Sequence, residues 1–134
     1  GEDGRAPRGA LHDTVLRRTG AADARGIVEF TYHGASKAEV AALAAEVLRL
    51  AAQGDAQSAA ILRREAEELR IMVSAFAREL AIVQPRVALM GGLLAEDNVY
   101  RRAVCAALAP FCRPAAPEHD ALFGAVQLAL AAIQ

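Results

Sequence analysis

Residues 86–94 read RVALMGGLL, and the reading of this stretch decides the fold. Val87, Ala88, Leu89 and Met90 form an apolar run too short for a helix and of the length of a buried strand. Gly91 and Gly92 follow at once. Without side chains they let the backbone approach another backbone or a flat ligand, and they tolerate positive φ. In open α/β sheets, ligands lie beyond the carboxyl ends of the strands, where this loop falls. A plain strand-to-helix turn uses glycine too, and a lone GG is a far weaker signal than a full dinucleotide-binding fingerprint. Both readings stand at this point.

Upstream, the chain is helical by pattern. Residues 11–18 make a short amphipathic helix, with Leu11, Val15 and Leu16 on one face and Gly20 as its stop. Arg17 and Arg18 fall in its last turn, where cations suit the helix dipole. Residues 26–34, GIVEFTYHG, are β-prone by residue type and read as a strand or as a helix-to-helix connector. Ser36 with Glu39 three residues on is a capping box, and the helix it starts runs to about residue 53 with Val40, Leu43, Ala44, Val47 and Leu50 inward. Gly54 ends that helix and Asp55 caps the next. From Ala56 a long stripe of Ile61, Leu62, Ala66, Leu69, Met72, Val73, Phe76, Leu80 and Val83 persists to Pro85. Its mid-point, Phe76, is expected to be buried. Arg63, Arg64, Glu67, Glu68, Arg70 and Arg78 form the solvated side of this helix.

Downstream, a helix over residues 96–109 has Glu96 and Asp97 in its first turn and Pro110 at its end. Residues 111–117 are a connector or a brief strand. A last helix runs from His119 or Asp120 to Ile133, with Leu122, Val126, Ala129 and Leu130 inward and Gly124 and Ala125 small enough for close packing. Residues 1–9 are rich in glycine, proline and charge, and are expected to be loose up to Pro7. The order predicts a helix-rich α/β fold with few strands. So small a sheet needs cover, so the 134 residues read as a single fragment, the tail of a larger α/β domain.

Composition narrows the function classes. Hydrophobic residues are 54% of the chain and aromatics only 4%, a mixture that suits close-packed helices. Fifteen basic side chains balance sixteen acidic ones, which argues against a nucleic-acid binder. No run reaches membrane-spanning length and no signal peptide is visible, although the start looks cut or tagged. Cys105 and Cys112 have neither metal spacing nor a disulfide framework; they read as packing cysteines in a reducing cytoplasm. His12, His33 and His119 are spaced for surface positions, and Asp3, Asp97 and Asp120 for loops or caps. Nucleophile elbow, Walker loop and paired carboxylates are all lacking. The residues offer a candidate ligand loop, with no catalytic residue and no metal ligand.

The strand VALMGG, the helix after it and the late segment PAAPEHDALFGAVQLAL resemble the C-terminal lobe of the N-acetylglucosamine kinase and BadF/BadG-type ATPase family. The helix near ALHDTVLRRTG, the capped helix before AAQGD and the long helix that follows extend the resemblance over nearly the whole chain. It implies the C-terminal part of a ribonuclease H-like, actin-like ATPase domain, with ATP or ADP as ligand and Mg2+ in the complete enzyme. Gly91 and Gly92 match the adenosine motif, with Leu93 beside it. Ala41, on the helix that begins near Ala38, is the closest match to the far wall of the adenine pocket. Gly124 and Ala125 match the second connecting motif, where helices cross between lobes. The N-terminal lobe, with the phosphate motifs, most of the sugar contacts and the catalytic base, would lie upstream. Cys105 and Cys112 do not match the iron–sulfur cysteines of the dehydratase-activator branch, which favours the sugar-kinase branch. The resemblance thus implies half of an amino-sugar kinase, cytoplasmic, with nucleotide and amino sugar as partners and scope for a homo-oligomer. A non-catalytic helical interaction module and a BadF-type ATPase activator are the alternatives.

Overall fold

The computed structural model describes residues 8–119 and 121–133. The expectations placed on Asp3, on Asp120 and on residues 1–7 lie outside it. The order is α1 (Ala10–Thr19), α2 (Ala24–Glu29), a π-helical turn (Phe30–Gly34), α3 (Lys37–Ala52), α4 (Ala56–Glu79), β1 (Arg86–Ala88), α5 (Val99–Leu108), β2 (Arg113–Ala115) and α6 (Ala121–Ala131). This is the helix-rich α/β fold that the pattern predicts, with a parallel two-stranded sheet pairing Val87 with Pro114.

Local chemistry explains most boundaries. Gly20 closes α1 at φ +68, a left-handed conformation that glycine adopts without strain. The Ser36–Glu39 capping box forms: the Glu39 amide donates to Ser36 Oγ at 3.2 Å and the Ser36 amide to Glu39 Oε2 at 2.8 Å. After Gly54, the Asp55 carboxylate accepts from the Ser58 amide at 2.8 Å and starts α4. Residues 26–34 are helical, which removes the strand alternative. Asp23 caps Gly26 at 2.9 Å, and the Ala35 amide reaches the Phe30 carbonyl at 2.8 Å to close the π turn. A local cap outweighs β-propensity where no strand lies alongside.

The core lies between α4 and α5. Ala66, Val104, Leu108 and Cys112 form its buried centre, with Leu69, Val73, Val87, Leu89, Leu94 and Phe111 packed around it. A second seam joins α1 to α3. The Glu46 carboxylate, only 9% exposed, accepts from Arg18 Nε at 2.8 Å and Arg49 Nε at 2.9 Å. A carboxylate so enclosed needs such partners.

Several expectations fail, each for a stated reason. The long stripe does not stay buried to Pro85. α4 ends at Glu79, where the Ala81 and Ile82 amides turn back to the Arg78 and Ala77 carbonyls at 3.1 and 2.8 Å. This Schellman closure puts Ala81 at φ +51 and carries Leu80 and Val83 out of the helix. Phe76 is 61% exposed, because α5 covers only the first half of the stripe. Met72, Leu80 and Val83 are exposed with it. On α6, Leu122, Val126, Ala129 and Leu130 all face solvent, and nothing lies within 4 Å of a Cβ built at Gly124. Among the described residues no other element packs on α6 to any extent. The sheet is buried on one face alone: Val87 packs against the core, while Arg86 and Ala88, which share the opposite face, are exposed. α5 starts at Val99 rather than near Glu96, because Asn98 is the better cap; its Oδ1 accepts from the Tyr100 and Arg101 amides, both at 2.9 Å. Cys112 is buried as expected, but Cys105 is exposed. The helical turn runs on through Pro110, with the Cys112 amide on the Leu108 carbonyl at 2.9 Å, so both cysteines border one small cavity of about 50 Å³. The whole chain exposes 9572 Å², against about 6,700 Å² for a compact chain of its mass.

Two measurements test this account. Leu108→Ala should cost about 2–5 kcal/mol in denaturant unfolding, while Phe76→Ala, at an exposed site, should stay within about 0.5 kcal/mol; the reverse ranking would mean the core is misplaced. The hydrogen bonds from Arg49 and Arg18 lower the Glu46 carboxyl below its ordinary value of 4.5. A lowered folded-state value gives stability that is complete above the unfolded value and fades as pH falls through the folded one. Acid titration of stability below about pH 4.5 should therefore be steeper for the native chain than for Glu46→Gln, and equal slopes would remove the linkage.

Candidate functional site

The loop between β1 and α5 is built by its own hydrogen bonds. Gly91 has φ +92, a backbone conformation that a side chain would strain. Its carbonyl accepts from the Leu94 and Ala95 amides at 2.9 and 2.8 Å, folding the loop back on itself. Asn98 Nδ2 donates to the Leu93 carbonyl at 2.8 Å and to the Glu96 carbonyl at 3.2 Å. Arg101 donates to the Leu94 carbonyl. Asn98 and Arg101 thus fix the loop to the first turn of α5, and Leu94 anchors it in the core.

The two glycines differ. Gly91 makes the turn. Gly92 has no positive φ, and a Cβ built there meets nothing within 4 Å. The chain itself gives Gly92 no reason to lack a side chain. The same open space surrounds Gly34 and Gly124, so at Gly92 it permits close approach by a flat ligand without demanding one.

Beside the loop, Leu93 lines an open cleft of about 260 Å³ together with Ala44, Val47 and Leu48 of α3, Ile61, Leu62 and Glu65 of α4, and Tyr100 of α5. Glu65 is its one charged lining group. Burial pushes the Tyr100 phenol above its ordinary value, and the negative charge of Glu65 adds to the effect. A protonated phenol can donate a hydrogen bond; an ionised carboxylate only accepts. An apolar concavity with few convergent polar groups is the usual form of a small-molecule site.

Of the four residues singled out from the sequence, Leu93 lines this cavity. Ala41 lies one turn before Ala44 on α3, exposed and outside the lining, and Gly91 and Gly92 lie on the open loop next to Leu93. Glu65, Tyr100, Asn98 and Arg101 were not legible as site residues. Asn98 carried a signal, a capping residue type directly before a helical run. Glu65 carried none, since it reads as one more charge on a solvated helix.

Residues 2–129 match the family model of the BadF/BadG/BcrA/BcrD ATPase family. The chain belongs to this family. An ATPase family makes ATP or ADP the ligand class, and the helix-rich fold with its parallel strand pair is consistent with part of an actin-like ATPase fold. A search of curated proteins returns no match. No described helix of this BadF/BadG-family chain is long and apolar enough to cross a membrane. Among its described residues, no group of three or more His, Cys, Asp or Glu could hold a metal ion.

The two glycines should separate in stability measurements. Gly91→Ala should cost about 1–3 kcal/mol for the left-handed backbone, and Gly92→Ala should stay within about 0.5 kcal/mol. Equal losses at both positions would contradict the division of roles.

Proposed function

We propose that this chain is the nucleotide-side lobe of an ATP-dependent amino-sugar kinase, which transfers a phosphoryl group from ATP to a sugar hydroxyl. The carrying observation is the bare shelf at Gly92 beside the apolar cavity, in a chain of an ATPase family. In this reading the ribose and base lie over Gly91 and Gly92, with Leu93 and the α3 wall of Ala44, Val47 and Leu48 around the adenine and Ala41 one turn beyond that wall. Phosphoryl transfer requires phosphate positioning, a metal and a hydroxyl-orienting base. In this reading the Mg2+ of the complete enzyme and most of the amino sugar are held by the upstream lobe, as the family resemblance implies. Mg2+ supplies charge neutralisation at the phosphates when bound. The chain's own residues orient adenosine and exclude water from one side of it. The free thiols Cys105 and Cys112 suit a reducing cytoplasm, and the exposed apolar helices leave room for a homo-oligomer.

The test is calorimetric titration with ADP and ATP, together with ADP release in the presence of N-acetylglucosamine. Expected are measurable nucleotide binding by the chain, at least a tenfold loss in a folded Gly92→Val variant, and no sugar-dependent turnover by the chain alone. Unchanged affinity in Gly92→Val would reduce the loop to a turn. Sugar-dependent turnover by the purified chain would defeat the half-enzyme reading.

A further inference from the structure

Asn98 uses both ends of its side-chain amide. Its Oδ1 accepts from the Tyr100 and Arg101 amides, both at 2.9 Å. Its Nδ2 donates to the Leu93 carbonyl at 2.8 Å and to the Glu96 carbonyl at 3.2 Å. Backbone amides only donate, so the atom they meet is the oxygen, and the nitrogen faces the two carbonyls. We infer that this nitrogen makes Asn98 a positioning residue for the ligand loop, a role separate from its cap on α5. The inference rests on reading the loop as the nucleotide shelf.

The two ends of the amide serve different purposes. The oxygen starts α5, and aspartate or serine would cap as well. The nitrogen holds the backbone at Leu93, the residue that follows Gly92 and lines the cleft. Shelf and cleft therefore meet at a residue that Asn98 fixes. Arg101 holds the next carbonyl, that of Leu94, and does not reach Leu93. The Leu93 side chain is 46% exposed, so packing alone does not fix it.

The cost of losing the nitrogen falls on binding rather than on folding. Both bonds lie at the surface, and the released carbonyls turn to water at little net cost. A loop that is loose before binding must be ordered by the ligand, and that ordering is subtracted from affinity.

Asn98→Asp and Asn98→Ser separate the two roles. Each keeps a capping oxygen and loses the amide nitrogen. The aspartate adds a negative charge and the serine adds none, so repulsion of the nucleotide phosphates cannot explain a loss common to both. The experiment measures ADP binding to the full chain by calorimetry, and denaturant unfolding, for the native protein, the two Asn98 variants and Gly92→Val. Both Asn98 variants should keep the native unfolding midpoint and bind ADP about tenfold more weakly, the worth of one or two ordinary hydrogen bonds. Native affinity in both folded variants would leave Asn98 a cap alone and overturn its positioning role. A loss in one variant only would assign the effect to that side chain's own charge or size, and would overturn it too. So would a fall in unfolding midpoint in both variants, or failure of both to fold, since Asn98 would then support the helix and not the loop in particular. Absence of ADP binding by the native chain, or binding indifferent to Gly92→Val, would overturn the nucleotide reading and this inference with it.

Discussion

The packing of α5 on α4 holds the site in place. Val104 has no exposed surface and Ala66 in the same cluster is 2% exposed. A methyl group at Ala66 lets the neighbouring helix come close, and interiors at native density tolerate little change at such a point. β1 and the glycine loop have no comparable anchor of their own. β1 is three residues long with one partner strand, and the loop reaches the core through Leu94 and reaches α5 through Asn98 and Arg101. The position of Gly91 and Gly92 is therefore inherited from α5, and the position of α5 from Ala66 and its neighbours.

The same packing divides the molecule in two. The middle of α4, from Ala66 to Val73, and the inner face of α5 share a dry seam, while the last turns of α4 and the side chains of α6 from Leu122 onward are exposed. Ile71, Met72, Phe76, Leu122, Phe123 and Leu128 are large apolar side chains in water. An exposed apolar surface of this extent is the ordinary mark of a surface that another chain or lobe covers. The candidate cavity lies on the covered side, where α3, α4 and α5 converge. Its walls are thus formed within the chain, whatever covers the rest.

The sequence showed local structure well and tertiary cover poorly, for one physical reason. Caps and stops are short-range: Ser36 with Glu39, Gly54 with Asp55, and Gly20 all sit where their side chains or backbone freedom require. Periodicity says which residues share a helix face; it does not say whether anything lies opposite. Phe76 and Leu122 obey the same pattern as Leu62 and Leu69, and differ only in having no neighbouring helix. At residues 26–34 the connector reading held and the strand alternative fell, because strand propensity counts only where a partner strand exists. At the site, the GG pair could be singled out because two adjacent glycines directly follow an apolar run of strand length, and Leu93 because it stands beside the motif that resembles the family's. Glu65 could not, since its significance comes from Tyr100, thirty-five positions on, and from an α3 wall that only the fold brings near.

The wet face of α6 has a calorimetric consequence. Heat capacity rises on unfolding because apolar area becomes hydrated, by about 0.45 cal/mol/K for each Å² newly exposed. Side chains already in water in the folded state add almost nothing to that rise. Unfolding of this chain therefore draws its heat-capacity increment mainly from the α4–α5 seam, and falls short of the usual ~12–15 cal/mol/K per residue. A broad, shallow stability curve and a low denaturant slope for 134 residues are the expected result. A neighbour that covered α6 would steepen both, because it would add apolar area to what unfolding exposes.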